Sequence, residues 1–324
     1  MEMPSLKPGD VVEILSPASV IEPQLVDGAV KTLRAFGFEP RVSGHSLETF
    51  GSFSGTSDAR FADLERALCD PDVRAILCSR GGYGCVHLLP QLDRLMQTGH
   101  VAPKWLIGFS DVTALHALWW KHGLQSLHSS MAKHLANYGP EDPINRQLVG
   151  ILTGKPVVAA AKGAPVITFP LNFSGSETGR ASRRGVAEGE VVGGNLAVLG
   201  GLIGTPFCPV RPGSILLIED IAEPIYKVER ILWQLRLAGI FDRLAGLIVG
   251  QFTDYRAPSK DHRDMYEMIT KFLNINSMGR YADSCGFPVA MDVAVGHVDD
   301  NRPLILNRRA RFEVGDTEAV LTYI

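Results

Sequence analysis

The chain has 324 residues, which at roughly 150 residues per domain points to two domains or one large one. Lys plus Arg total 32 against 35 Asp plus Glu, a formal net charge of −3 that excludes the basic field a phosphate polymer would need. With 45% hydrophobic and 21% charged residues there is ample material for a core, which excludes disorder as the main state.

The first ten residues carry no apolar h-region of a secretory signal, and no stretch approaches the roughly 18 uninterrupted apolar residues of a spanning helix. Five cysteines, an odd number with no CxxC pair, fit reduced thiols better than a disulfide framework or a zinc knuckle. The expectation is a soluble, cytoplasmic protein that binds neither nucleic acid nor membrane.

In chain order, Val11-Val12-Glu13-Ile14-Leu15 is an apolar run ending at Ser16-Pro17, as a buried strand should. Leu25, Val26, Val30, Leu33 and Phe36 follow at helical spacing up to Gly37, and residues 39–43 suit a second strand. Ser57 offers an N-cap to a helix carrying Phe61, Leu64 and Leu68, which stops before Pro71. Residues 75–78 form the next strand and run into Arg80-Gly81-Gly82-Tyr83-Gly84; a helix with Val86, Leu89, Leu92 and Leu95 leads to a strand at 105–109. A further helix covers 111–121. Alternating units with continuously apolar strands predict a parallel sheet covered on both faces, with its site where strand C-termini meet helix N-termini. The loops that matter are therefore 16–20, 80–84 and 108–111.

Between about 139 and 185, Pro143, Pro156, Pro165 and Pro170 interrupt the pattern, and 172–180 reads as an exposed polar loop. The predicted division is an N-terminal domain over 1–160, a linker over 161–184 and a C-terminal domain over 185–324. The second half has strands at 185–192, 215–218 and 246–250 and an apolar helix at 227–238. Its end alternates like an antiparallel pair, with Ala310, Phe312 and Val314 followed by Ala319, Leu321 and Tyr323.

Ser110, in Gly108-Phe109-Ser110-Asp111, sits on a strand-to-helix turn, the setting of a nucleophile elbow whose following N–H groups face an oxyanion. The strict G-x-S-x-G pattern is not met, and Ser110 or Asp111 acting as a helix cap is the plainer alternative. The glycine turn 80–84 is either a tight turn or an anion cradle; it is no dinucleotide fingerprint, because His87 stands where the third glycine belongs. Ile218-Glu219-Asp220 ends an apolar strand in two carboxylates, which either cap a helix or include the acid that orients a histidine. Seven of the nine histidines lie within 45–134, and His297, just past an apolar run, is the one best set as a general base. A metal held by His297, Asp299, Asp300 and Glu219 is a further alternative without an HExxH motif behind it. Cys85 heads a helix, where a thiolate could be stabilised, although most free cysteines are buried small residues.

Taken together, Arg-Gly-Gly-Tyr-Gly at 80–84, Gly-Phe-Ser-Asp at 108–111, Gly-Gly-Asn-Leu at 193–196, Gly-Thr-Pro at 204–206, Ile-Glu-Asp at 218–220 and Gly-His at 296–297 resemble the LD-carboxypeptidase family of serine peptidases, the muramoyltetrapeptide carboxypeptidases of murein recycling. The resemblance runs from about Lys7 to the final strands. It implies an α/β fold: a flavodoxin-like N-terminal parallel sheet, close to class I glutamine amidotransferase domains, and a smaller mixed α/β C-terminal domain. By that resemblance Ser110 is the nucleophile, His297 the base and Glu219 its orienting carboxylate, with the site at the domain interface; the backbone N–H groups of Gly82 and Asp111 are the oxyanion donors. Arg80, Tyr83, Asn195 and Glu223 are the expected substrate contacts. The implied substrate is a murein peptide that loses its terminal D-Ala with no metal or organic cofactor, and the implied assembly is a homodimer.

Chemistry supports the triad separately, because a serine needs a base to attack near neutral pH and the base needs a partner fixing its tautomer. The family's other branch, self-immunity peptidases that cleave microcin C-like peptidyl-nucleotides, carries a tryptophan before the Gly-Gly-Asn motif and a basic residue four positions after the triad glutamate. This chain has Phe173 and no tryptophan in the corresponding loop of about 172–184, and Glu223 at the second place, an acid suited to the amine of diaminopimelate. Both departures favour the recycling activity. A non-catalytic small-molecule binding protein is the competing class.

Overall fold

A computed structural model describes residues 3–156, 165–171, 182–274 and 286–324. They divide into two compact units, one of residues 1–165 with 301–307 and one of 166–300 with 308–324.

The first unit starts with β1 (Val11–Leu15), whose five residues are all buried. Glu13 in its middle is tolerated because its carboxylate pairs with Arg66 and accepts the Ser43 hydroxyl at 2.6 Å. Next come α1 (Pro23–Ala35), β2 (Glu39–Val42) and α2 (Ser57–Cys69). The cap of α2 is Thr56, one residue before the predicted Ser57; its side chain accepts from the Ala59 N–H. Then follow β3 (Val73–Cys78), α3 (Leu89–Gln97) after a 3₁₀ turn, β4 (Trp105–Gly108), α4 (Thr113–Lys121) after another, β5 (Ser126–His128), α5 (Ala132–Tyr138) and α6 (Pro143–Leu152). The strands run parallel in the order β5-β4-β3-β1-β2. This is the doubly wound parallel sheet that the buried apolar runs require. The turns after β1, β3 and β4 hold the three loops singled out from the sequence.

The second unit opens with β6 (Val166–Pro170), inside the stretch read as a linker; residues 157–164 and 172–181 of that region, Phe173 included, lie outside the described residues. It continues through β7 (Gly185–Asn195), α7 (Leu196–Leu202), β8 (Ile215–Ile221), α8 (Ile225–Leu237), β9 (Gly246–Thr253), α9 (Met265–Leu273) and β10 (Val289–Ala290). The chain then returns to the first sheet as β11 (Leu304–Leu306), antiparallel to β5, before β12 (Arg308–Val314) and β13 (Glu318–Tyr323) complete the second. The second sheet, β10-β9-β8-β7-β12-β13-β6, is mixed: parallel from β7 to β10 and antiparallel from β7 through β12 and β13 to β6. Ala310, Phe312 and Val314 alternate with exposed neighbours on β12, as the period-two pattern predicts.

Candidate active site

Two clusters, one in each unit, carry the residues singled out above. In the first unit the end of β4 is fixed from behind. Burial pushes the His116 imidazole down to about 4, so it stays neutral and donates from Nε2 to the Gly108 carbonyl at 2.9 Å. Phe109 is extended, and Ser110 then takes φ +64° before the chain enters the helix. A serine in the left-handed region costs on the order of 1 kcal/mol and is held there by its surroundings. Asp111 is buried, and its Oδ2 accepts the Cys85 N–H at 2.8 Å, so this side chain is turned to the glycine turn; no side-chain cap bond is made at the start of either helical segment here.

The glycine turn lies directly against this elbow. A Cβ on Gly81 would stand 2.8 Å from Ser110 Cβ and 2.9 Å from its Oγ, a contact that only glycine permits. Gly82 is exposed at φ +120° with Ser19 packed beneath it. Arg80 is exposed at the head of the turn and donates to the Val20 carbonyl at 3.1 Å. Tyr83, 56% exposed, meets His87 Nε2 through its hydroxyl at 3.1 Å and stacks obliquely on Phe53.

In the second unit, Glu219 and His297 are brought together. His297 Nδ1 lies 2.7 Å from Glu219 Oε2, with the carboxylate fully buried and the imidazole 15% exposed. Glu219 sits where the pairing of β8 with β9 shifts register, between Ile218 and Asp220, and such a bulge re-aims a side chain. Glycines make its room: a Cβ on Gly296, at φ +117°, would lie 2.7 Å from Glu219 Oε2, and one on Gly250 would lie 3.1 Å from Glu219 Cβ. Glu219 Oε1 is buried without a hydrogen-bond partner among the described residues, so the imidazole holds the one hydrogen bond recorded for this carboxylate. An Nδ1–H donated to it leaves the basic lone pair on Nε2 and stabilises the imidazolium when that nitrogen takes a proton.

Asn195 pairs in register with Glu219 across β7 and β8. Its Oδ1 accepts the Val198 N–H at 3.1 Å as the N-cap of α7, and its Nδ2 donates to Asp220 Oδ1 at 2.9 Å. Asp220 also accepts from Ala197 N and Ile221 N, so the two adjacent carboxylates serve different ends, Glu219 the histidine and Asp220 the head of α7. Glu223 is half-buried and forms an ion pair with Lys227 at 3.5 Å, one turn along.

Burial, joined by the neighbouring Glu219 charge, pushes the Asp220 carboxyl up to about 6 against the pull of its three N–H donors. The folded state therefore holds this proton to higher pH than the unfolded chain, which releases it near 3.8. The stability this group contributes is complete below 3.8 and is lost as pH rises through about 6. From pH 7 to 5, the unfolding free energy of wild type is expected to rise relative to Asp220→Asn by about 1 kcal/mol, read from urea titrations at the two pH values.

Reading the sequence missed Arg60, a buried arginine bonded to the backbone of two strand-end loops. The available signal was a charged residue at helical spacing with Leu64, Ala67 and Leu68 on the buried face of α2. The thiolate reading of Cys85 fails, because burial first and the Asp111 carboxylate second raise its ionisation well above the ordinary thiol range. Cys285 lies outside the described residues. Among the described residues no group of three or more His, Cys, Asp or Glu side chains is arranged to hold a metal ion, and no helix is long and apolar enough to cross a membrane.

Residues 12–129 match the LD-carboxypeptidase N-terminal domain and residues 188–312 the LD-carboxypeptidase C-terminal domain. The murein tetrapeptide carboxypeptidase of Pseudomonas aeruginosa is 32% identical over 296 residues, 90% of this chain and 89% of its own. The microcin C7 self-immunity protein MccF of Escherichia coli is 28% identical over 293 residues, covering 82% of each chain. Among solved structures, the muramoyltetrapeptide carboxypeptidase of Oxalobacter formigenes shares the fold, with a TM-score of 0.79 over 97% of this chain and 98% of its own at 23% identity.

Proposed function

The chain belongs to the LD-carboxypeptidase family, and from that membership we propose that it is a serine carboxypeptidase of peptidoglycan recycling. It removes the terminal D-Ala of murein tetrapeptide by cutting the bond from the L-centre of the diamino acid at position three. The observation that carries this reading is the 2.7 Å contact between His297 Nδ1 and the fully buried carboxylate of Glu219. That pair gives an imidazole of fixed tautomer, which is what a serine nucleophile requires.

In the proposed reaction, His297 Nε2 takes the Ser110 proton as Oγ attacks the scissile carbonyl. The developing oxyanion is met by the backbone N–H groups of Asp111 and Gly82. Collapse expels D-Ala, whose amine takes the proton from the imidazolium, and leaves the tripeptide as an ester on Ser110. Water, deprotonated by His297, then hydrolyses the ester and restores the serine. Arg80, a cation on the exposed side of the glycine turn, is assigned to the free carboxylate that a carboxypeptidase must recognise, and Tyr83 to the adjoining peptide. Glu223 is assigned to the side-chain amine of the diamino acid, in competition with Lys227. Asn195, expected as a substrate contact, is instead assigned to holding the strand end beside Glu219, because its amide is buried and bonded to the Val198 N–H and Asp220. Recycling of imported murein peptides implies a cytoplasmic enzyme, and the family resemblance a homodimer.

Mass spectrometry of murein tetrapeptide incubated with the protein, with and without EDTA, tests this reading. The expected result is loss of one alanine at the same rate in both samples, since every group in the scheme comes from the chain. Intact tetrapeptide together with cleaved peptidyl-nucleotide would move the protein to the self-immunity branch that the family resemblance offers as the alternative. Neither substrate cleaved would support a binding protein.

A further inference from the structure

The elbow and the glycine turn are joined by two buried charges that the proposed reaction does not use. Asp111 Oδ2 accepts the Cys85 N–H at 2.8 Å, and Arg60 Nη1 donates to the Gly84 carbonyl at 3.0 Å. These are the two ends of one peptide group. A cation grips its oxygen and an anion its N–H, both through charge-assisted hydrogen bonds, which are roughly twice as strong as neutral ones. Arg60 reaches further, donating through Nη1 to the Pro17 carbonyl at 2.7 Å and through Nη2 to Ser57 Oγ at 3.2 Å. Arg60 is 2% exposed and Asp111 4%. Charges this deeply buried are normally paired with each other directly; here the Gly84–Cys85 peptide stands between them. Gly84 is required by that approach, since a Cβ there would lie 2.7 Å from Arg60 Nη1 and 3.0 Å from the Phe53 ring.

The loops after β1, β3 and β4 are thus tied in sequence: Pro17 to Arg60, Arg60 to Gly84, and Cys85 to Asp111, the residue that follows Ser110. We infer that Arg60 and Asp111 are positioning residues for the nucleophile, holding the glycine turn and the elbow in one registration through the Gly84–Cys85 peptide. Their partner in function is the oxyanion: the N–H of Asp111 belongs to one loop and that of Gly82 to the other, and the relay fixes the second against the first. Arg60 also balances the Asp111 charge, which would otherwise stand uncompensated close to a developing anion. The inference rests on the reading of Ser110 as the nucleophile. It predicts an effect on the transition state and little on substrate binding.

The test compares Asp111→Asn, Arg60→Lys, Arg60→Met and the double variant Arg60→Met/Asp111→Asn. Readouts are kcat and KM on murein tetrapeptide, the second-order rate at which an alkyl fluorophosphonate labels Ser110, and circular dichroism for folding. Asp111→Asn keeps the shape and removes the charge; it is expected to lower kcat and the labelling rate about 10- to 100-fold with KM within about threefold. The double variant should fall no more than about threefold below its worse single, because both changes break one relay. Single variants that stay folded with kcat within about threefold of wild type, losses that multiply in the double, or a raised KM at unchanged kcat would each overturn the inference. If Arg60→Met does not fold, Asp111→Asn and Arg60→Lys decide on the same criteria. Should Ser110→Ala turn over as fast as wild type, the serine reading itself fails; an inactive Ser110→Ala beside an unimpaired Asp111→Asn removes the relay alone.

Discussion

Replacing Ser110 by alanine is expected to lower kcat for D-Ala release by at least about 10⁴-fold, with the residual rate set by whatever binding and oxyanion contacts remain. The conformation of this residue makes the experiment unusually clean. Ser110 holds φ +64° with a Cβ, and alanine has a Cβ too, so Ser110→Ala inherits the same backbone strain and should keep its stability within about 0.5 kcal/mol of wild type. Ser110→Gly is the informative companion. Glycine enters the left-handed region without penalty and gives back most of that gain as unfolded-state entropy, for a net stabilisation of about 0–0.5 kcal/mol. A pair of inactive variants, neither less stable than wild type, places the cost at the nucleophile and not in the fold. Equal turnover by wild type and Ser110→Ala would refute the nucleophile assignment, and a destabilised Ser110→Gly would show that the strained turn is not what the serine is held in.

How much of this was legible beforehand depended on how local the signal was. The strands β4 and β8, and β3 from Ala75 on, carry unbroken apolar runs ended by polar residues, and β1 one interrupted only by Glu13; their burial follows from that pattern. The return of the chain as β11 was not legible: Leu304–Leu306 is three residues between Pro303 and Asn307, too short to show any period. β6 was hidden by the prolines around it, which an edge strand tolerates and a central one does not. Glu219 and His297 each stood out as a polar residue at the end of an apolar run. Their meeting across 78 positions was not readable from spacing and came only through the resemblance. The Gly84–Cys85 relay was illegible for a different reason. One of its charges lies on a helix and the other on a turn, and the group between them is backbone, which carries no sequence signal beyond the glycine itself.

Glu219→Gln should cost nearly as much as loss of the serine, about 10³- to 10⁴-fold in kcat. The amide preserves the volume of a side chain that is entirely enclosed, so packing is not the cause. What changes is the hydrogen bond. A glutamine that presents its NH₂ to Nδ1 forces the proton onto Nε2, the wrong tautomer for a base, and one that presents its oxygen still withholds the charge that stabilises the imidazolium. Gly296→Ala approaches the same pair from the backbone. Its Cβ would stand 2.7 Å from Glu219 Oε2 at φ +117°, so the carboxylate must move off the line to His297 while every titratable group is retained. Both variants should therefore lower kcat far more than KM, and acylation by a fluorophosphonate should slow in parallel, because attack by Ser110 depends on the same imidazole. Full activity in Glu219→Gln, with the folded state verified by its thermal transition, would leave His297 acting without this carboxylate and would remove the observation on which the proposed reaction chiefly rests.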